Sequence, residues 1–399
     1  MSKPLEGLRV LDLTRVLAGP YCTMMLADLG AEIIKVEVPV TGDDSRAFGP
    51  FRNGTSLYFI TINRGKESIA IDLKNPAGKQ LLKDLAAKCD VVVENFRPGT
   101  MEKLGLGWET LRELNPRLIY AAVSGFGHTG PQSRRPAYDI LVQAMGGVMS
   151  ITGWPGSPPT RVGMSLGDIT AAIFGCNGIM AALYQREKTG RGQKVDVAML
   201  DCQLAILENA LVRWQVDGKI PEPLGTRHPT ITPFQAFRAE DEWFVLGVGN
   251  DTLWQTFCKA VDRLDLLADQ RFATNGDRTK HYDDLMPELE RLFTRKTAAE
   301  WLALLESAGV PAAPVNAIDR VMQDKQLQAR NMFVTVDDAV AGPVIVPGNP
   351  IKMDSLPETA DRPPAPAIGQ HTESILRTVL GLSTSDIEGL RNTGVIPHG

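Results

Sequence analysis

The sequence predicts an α/β protein in which a doubly wound, Rossmann-like large domain is joined to a smaller α+β domain. Short apolar, branched runs alternate with amphipathic ones through the first half of the chain. A proline-rich stretch then separates that alternation from a segment with a hairpin pattern, and 399 residues give enough length for more than one core.

Residues 9–13 read as a strand, 21–29 as a helix and 31–37 as a second strand, a β-α-β unit. A strand at 68–73 follows, then a helix from about residue 78 with Leu81, Leu82, Leu85 and Cys89 on one face, then a strand at 91–93. A third crossover leads to a strand at 118–123, and 194–199 closes the series before a helix running to about residue 216. Apolar strands separated by amphipathic helices imply a parallel sheet covered on both faces. The large domain is therefore expected over 1–217, with a linker at 218–233. Residues 233–239 and 243–248 read as a hairpin, and helical runs follow near 252–261, 285–293 and 298–308, so a small α+β domain is expected over 234–325. Short strands, a proline-rich piece at 362–367 and a terminal helix are expected to return 326–399 to the large domain.

The formal net charge of −5, with lysine and arginine scattered, argues against a nucleic-acid partner. Five cysteines (Cys22, Cys89, Cys176, Cys202, Cys258) make no CxxC pair or zinc spacing, and the five histidines are dispersed, so no metal site or disulfide is expected. The first residues lack a charged segment followed by an apolar one, so a cytoplasmic location is expected. The long weakly polar run at 168–185 contains Asp, Thr and Asn and suits a buried helix better than a membrane span. After the first strand the glycine fingerprint of dinucleotide binding is missing, and no GxSxG elbow occurs.

Asp168 stands out locally: a lone carboxylate after Gly167 with no Lys or Arg within six positions, opening a run of small residues. It reads either as a helix N-cap, held by backbone N–H groups and the helix dipole, or as a reactive carboxylate. The strand at 91–93 delivers Asn95, Phe96 and Arg97 into a Pro-Gly turn, and strand carboxyl ends are where open α/β sheets bind ligands. Amide, ring and guanidinium fit a nucleotide with phosphates; a plain turn with a solvated Arg97 fits as well. Lys74 and Lys103 lie near strand ends and are candidates to converge on the same phosphates.

The segments 11–20, 94–99, 125–131, Gly167-Asp168 and 186–193 together resemble the class III CoA-transferases of the formyl-CoA transferase and carnitine CoA-transferase type, in similar order and spacing along nearly the whole chain. The resemblance implies that Asp168 attacks an acyl-CoA thioester, forming a mixed anhydride and then an aspartyl-CoA thioester. It implies a CoA site at Val16, Leu17, Ala18, Leu73, Lys74, Asn95, Phe96, Arg97 and Lys103, and an acidic active-site position at Asp139. Coenzyme A enters as substrate, no cofactor is held permanently, and an interlocked homodimer is expected. Val38 stands where many relatives carry Arg, and only Gly247-Val248-Gly249 stands near the region where the formyl-CoA:oxalate enzymes carry a glycine-rich flap, so formyl-CoA/oxalate specificity is not expected. The related α-methylacyl-CoA racemases carry a His where this chain has Tyr138, with His128 ten residues earlier. Segments 227–229, 232–237 and 248–250 look closest to the succinyl-CoA:glutarate branch, which makes Arg46, Tyr138, Arg227 and His228 candidates for contact with a dicarboxylate.

Overall fold

The computed structural model describes residues 3–356, 358–359 and 361–398; residues 1 and 2 of the stretch read for a targeting signal lie outside them. The chain packs as two compact units, one of residues 1–148, 161–211 and 325–399, the other of 149–160 and 212–324.

The first unit is built on a six-stranded sheet of β1 (Arg9–Asp12), β2 (Glu32–Glu37), β3 (Glu67–Ala70), β4 (Val91–Glu94), β5 (Ile119–Ser124) and β6 (Lys194–Ala198). The strands lie in the order β3-β2-β1-β4-β5-β6 and every pairing is parallel. Their runs are continuously apolar because both faces are covered. On one face Leu81, Leu82 and Leu85 of α-helix Pro76–Ala86 and Leu111 pack with Ile375, Leu376 and Ile387 of the carboxyl-terminal helices Thr372–Leu380 and Thr384–Asn392. On the other, α1 (Ala18–Asp28) and α-helix Leu166–Thr189 place Cys22, Leu26, Ala172, Cys176 and Ile179 against Val10, Val91 and Ile119. The long helix is apolar enough to cross a membrane by length and composition, but half of its apolar window is buried inside the unit.

Strand order reverses between β1 and β4, since β1 continues to β2 on one side and the chain resumes at β4 on the other. Such switch points leave a crevice outside the strand carboxyl ends, between connections leading to opposite faces.

Several boundaries depart from the sequence reading. Helix α1 begins at Ala18 rather than residue 21, because Pro20 is tolerated in a first turn that needs no N–H there. The helix expected to run on to about residue 216 is two, Met199–Ala205 and Ala210–Asp217, with Glu208 between them at φ 54. Asp168 is not an N-cap: the long helix starts at Leu166, its N-cap is Ser165, and Asp168 is the third helical residue. The carboxyl-terminal strands form a hairpin of Phe333–Asp338 and Gly342–Pro347, with Asp361–Arg362 parallel to the first, and two helices end the chain rather than one.

In the second unit Phe234–Arg238 and Trp243–Gly247 pair antiparallel, and Ala312–Pro314 adds a third strand that carried no clear sequence signal. Their inner residues Phe237 and Phe244 meet Phe293, whose ring also packs edge-on against Trp301 at 5.3 Å.

Candidate active site

A cleft of about 220 Å³ opens at the switch point, where the segments following β1, β4 and β5 meet the first turn of the long helix. Its lining includes Val16, Leu17, Ala18, Asn95, Phe96, Arg97, Tyr138, Asp139 and Asp168, residues widely separated in sequence.

Asp168 is half-buried, and no described residue donates a hydrogen bond to its carboxylate. Burial, with a smaller contribution from the nearby Asp139 carboxylate, raises its pKa to about 7. The helix N-terminus pulls the other way, but a dipole worth about 0.3–1 kcal/mol shifts a pKa by less than one unit, so desolvation wins. The result is a carboxylate that is ionised at neutral to basic pH, poorly solvated and free of partners, a state suited to nucleophilic attack.

Asp139 opens helix Asp139–Met145 directly after Tyr138. Its Oδ1 accepts the backbone N–H of Gly167 at 2.8 Å and its Oδ2 accepts from Gln143 Nε2 at 2.8 Å, with Arg161 Nη2 at 3.4 Å. A Cβ at residue 167 would stand 2.6 Å from Val142 Cγ2 and 3.2 Å from Asp139 Oδ1, so only glycine admits this approach. Asp139 thus holds the turn that presents Asp168. Tyr138 is 76% exposed on the rim.

Other expected residues sit differently. Asn95 turns its amide back on the protein: Oδ1 accepts Arg15 N–H at 2.9 Å and Nδ2 donates to the Arg15 carbonyl at 2.8 Å. Phe96 packs partly against the sheet core, with the Arg15 guanidinium 5.8 Å from its ring centre. Arg97 is exposed and pairs with no carboxylate among the described residues. Leu73, Lys74 and Lys103 are not among the residues that line the cleft; Leu73 packs on the core and the two lysines are exposed. Arg46 is likewise elsewhere, spent on both Glu37 oxygens, on the Pro366 carbonyl and on the Phe59 ring. A strand-end glutamate facing a following arginine draws it inward, which rules Arg46 out as a ready carboxylate receptor. Arg227 and His228 belong to the second unit, where Arg227 lies 3.5 Å over the Tyr282 ring and His228 packs beside Phe234.

Sequence reading passed over Arg15, Asp44 and Arg135, which line the cleft, and Tyr58, whose hydroxyl pKa is raised to about 12 by burial and by the charges of Asp168 and Asp43. Arg15 lies inside the segment 11–20 but carried no role there; Asp44, Tyr58 and Arg135 stand in no motif, and only the fold brings them to Asp168. His128 does not line the cleft: its Nδ1 is 2.9 Å from Lys194 Nζ and its Nε2 is 3.5 Å from Glu94.

A sequence model described as CoA-transferase family III matches residues 5–372. The chain is 45% identical over 368 residues to an acetyl-CoA:oxalate CoA-transferase of Acetobacter aceti, covering 92% of this chain and 93% of that one. It is 40% identical over 395 residues to a succinyl-CoA:glutarate CoA-transferase of Mus musculus, covering 99% and 90%. Among solved structures, a CAIB/BAIF family protein from Brucella suis superposes with a TM-score of 0.83 at 37% identity, over 95% of this chain and 100% of that one. The match across the family's length, together with a desolvated aspartate in the switch-point cleft, makes the chain a member of CoA-transferase family III and an enzyme of that kind.

Proposed function

We propose that this enzyme moves CoA from a succinyl-CoA-like donor to a dicarboxylate acceptor through covalent intermediates on Asp168. The observation that carries the reading is the Asp168 carboxylate itself, unpaired and raised to about 7. The names of the relatives support the substrate class, since oxalate and glutarate are both dicarboxylates while the donors differ.

In the proposed sequence an Asp168 oxygen bonds to the thioester carbonyl carbon, the C–S bond breaks, and CoA leaves as thiolate. The thiolate then bonds to the Asp168 carboxyl carbon and expels the donor acid as carboxylate, leaving an aspartyl-CoA thioester. The acceptor carboxylate attacks that thioester, releases thiolate and forms a second anhydride, whose acceptor carbonyl the thiolate takes in turn. Asp168 is regenerated, no net proton moves, and each intermediate keeps the activation of the thioester. Water must be excluded while they last, which suits a small, half-enclosed cleft. Arg135, which lines the cleft and forms no ion pair with a described residue, is the cation we assign to the far carboxylate, in place of Arg46. The racemase alternative is less well supported, because Tyr138 stands where those enzymes carry their His and the His128 ring faces Lys194 and Glu94.

We also infer the interlocked homodimer of the family resemblance. In its support, Ile173, Phe174 and Tyr184 of the long helix and Ile140, Leu141 and Met145 of helix Asp139–Met145 are large apolar side chains that are all more than 36% exposed, as surfaces that meet a second copy are. The five cysteines, all free and buried, fit a reducing, cytoplasmic compartment.

The test is incubation with succinyl-CoA and a panel of mono- and dicarboxylic acids, with new CoA esters followed by mass spectrometry. New esters of dicarboxylates are expected; exchange with none of the acids would overturn the reading.

A further inference from the structure

The backbone that enters the cleft after β1 is held in an unusual conformation. Val16 sits at φ 68, a left-handed geometry that a branched side chain adopts only when its surroundings impose it. Three side chains from separate parts of the first unit impose it. Lys35, from the middle of β2, donates from Nζ to the Thr14 carbonyl at 2.8 Å. Asn95, after β4, brackets Arg15 on both its N–H and its carbonyl. Asp43 accepts the Val16 N–H at 3.1 Å with Oδ1, which also takes the N–H and hydroxyl of Ser45.

Lys35 and Asp43 are themselves an ion pair, 2.8 Å apart, with side chains 0% and 1% exposed. Such a pair is a poor source of stability, because desolvating two charges offsets most of their attraction; an apolar pair of the same volume would serve a core as well or better. What an apolar pair lacks is a donor for Thr14 and an acceptor for Val16. Each partner keeps the other charged: burial opposes ionisation of both, yet Asp43 is held below the usual carboxylate range by Lys35, and Lys35 is held above its ordinary value by Asp12 and Asp43. Two of the cleft's lining residues, Leu17 and Ala18, follow directly, and helix α1 begins there without a side-chain cap.

We propose that Lys35 and Asp43 are positioning residues for acyl-CoA, fixing the Thr14 carbonyl and the Val16 N–H so that residues 16–18 keep the shape that lines the Asp168 cleft. The proposal rests on the reading that this cleft takes a CoA thioester. Neither residue touches the reacting atoms, so their effect belongs in substrate affinity rather than in the chemical step.

The test uses the full-length enzyme in its native assembly, with CoA affinity by calorimetry and succinyl-CoA kinetics. Asp43→Asn is expected to weaken CoA binding and raise KM roughly tenfold, the size of one impaired buried hydrogen bond, with kcat changed much less. The decisive comparison is a cycle with Val16→Gly. Glycine takes the left-handed conformation without strain, so Asp43→Asn should cost clearly less in the Val16→Gly background than in the parent. An equal cost in both backgrounds, or a lowered melting temperature with unchanged affinity, would overturn the proposal. If Asp43→Asn does not fold, Lys35→Met with Asp43→Asn removes both charges together and is read against Val16→Gly in the same way. Parent enzyme that binds CoA but transfers none would sink the proposed function alone, and the affinity cycle would still decide the positioning role.

Discussion

Asp139 Oδ1 accepts at 2.8 Å the backbone N–H of Gly167, the residue before Asp168, which brings a second carboxylate within electrostatic reach of Asp168. One side chain therefore both shapes the turn that carries Asp168 and raises the Asp168 pKa. Burial is the larger cause and Asp139 the smaller. The first half-reaction, transfer of CoA onto the enzyme, should rise with pH along a limb centred at about 7. In Asp139→Asn the like charge is gone, while an oxygen that accepts from Gly167 is kept. The limb should move to lower pH by roughly one unit or less and stay well above an ordinary carboxylate's position. A pH profile of single-turnover rates checks this, and a limb that moves upward would contradict the assignment.

Asp168 also carries a stability signature opposite to that of most catalytic losses. Its folded pKa lies above the unfolded value of about 3.9. The folded state therefore loses stability as pH rises from about 4 through 7, where the unfolded chain ionises more readily. Asp168→Asn should abolish CoA transfer, retain CoA binding, and melt at a higher temperature than the parent at pH 8. That gain should shrink as the pH falls to 5. Melting curves at the two pH values, run beside a transfer assay, test both halves; retained turnover would refute the covalent role.

The apolar layer of this fold could be read in the sequence, and the charged layer could not. Val91, Val92 and Val93 announce a strand buried on both faces, and every one of them has essentially no exposure. Leu81, Leu82 and Leu85 announce the helix that covers it. Lys35 sits among equally apolar neighbours, Ile33, Ile34 and Val36, and on composition alone is a surface charge; burial became possible only because Asp43 returns to it from the following loop. Arg46 was misread for the same reason, since its partner Glu37 ends the strand before it. Asp168 stands out by its local setting, but its expected reactive role, and the choice of Asp139, came from motif resemblance and not from periodicity. The left-handed turn at Val16 has no sequence signal at all, because it is imposed from outside on a residue type that disfavours it.

Gly167→Ala tests the close approach of two helix starts. The added methyl would stand 2.6 Å from Val142 Cγ2, and Val142 is fully buried, so the helices must part or Asp139 must release the residue 167 N–H. Overpacking of this kind costs about 1–3 kcal/mol. Because the displaced element carries Asp168, transfer should fall by more than the stability loss alone explains at temperatures well below melting. Denaturant titration and activity at 20 °C below the melting point would separate the two; a variant destabilised but fully active would show that Asp168 does not depend on this contact.

A final prediction concerns Asp12, at the end of β1 beneath the cleft loop. Its carboxylate accepts from Thr14 and Thr23 hydroxyls and pairs with Lys66 Nζ at 3.0 Å, with no exposure of either side chain. Burial opposes its charge, but Lys66 and Lys35 together with the Thr14 and Thr23 hydroxyls outweigh it, and its pKa is lowered to about 2. A folded pKa below the unfolded one contributes stability above about pH 4 that is lost as pH falls toward 2, here about 2 kcal/mol. Asp12→Asn leaves Lys35 and Lys66 short of a counter-charge, and should cost about 3–5 kcal/mol at pH 7. Between pH 4 and pH 2 the gap between parent and variant should narrow by roughly the stability that parent Asp12 loses on protonation. Denaturant unfolding of both proteins across this range measures that gap directly. A gap of constant size down to pH 2 would mean that Asp12 is not held charged by the two lysines.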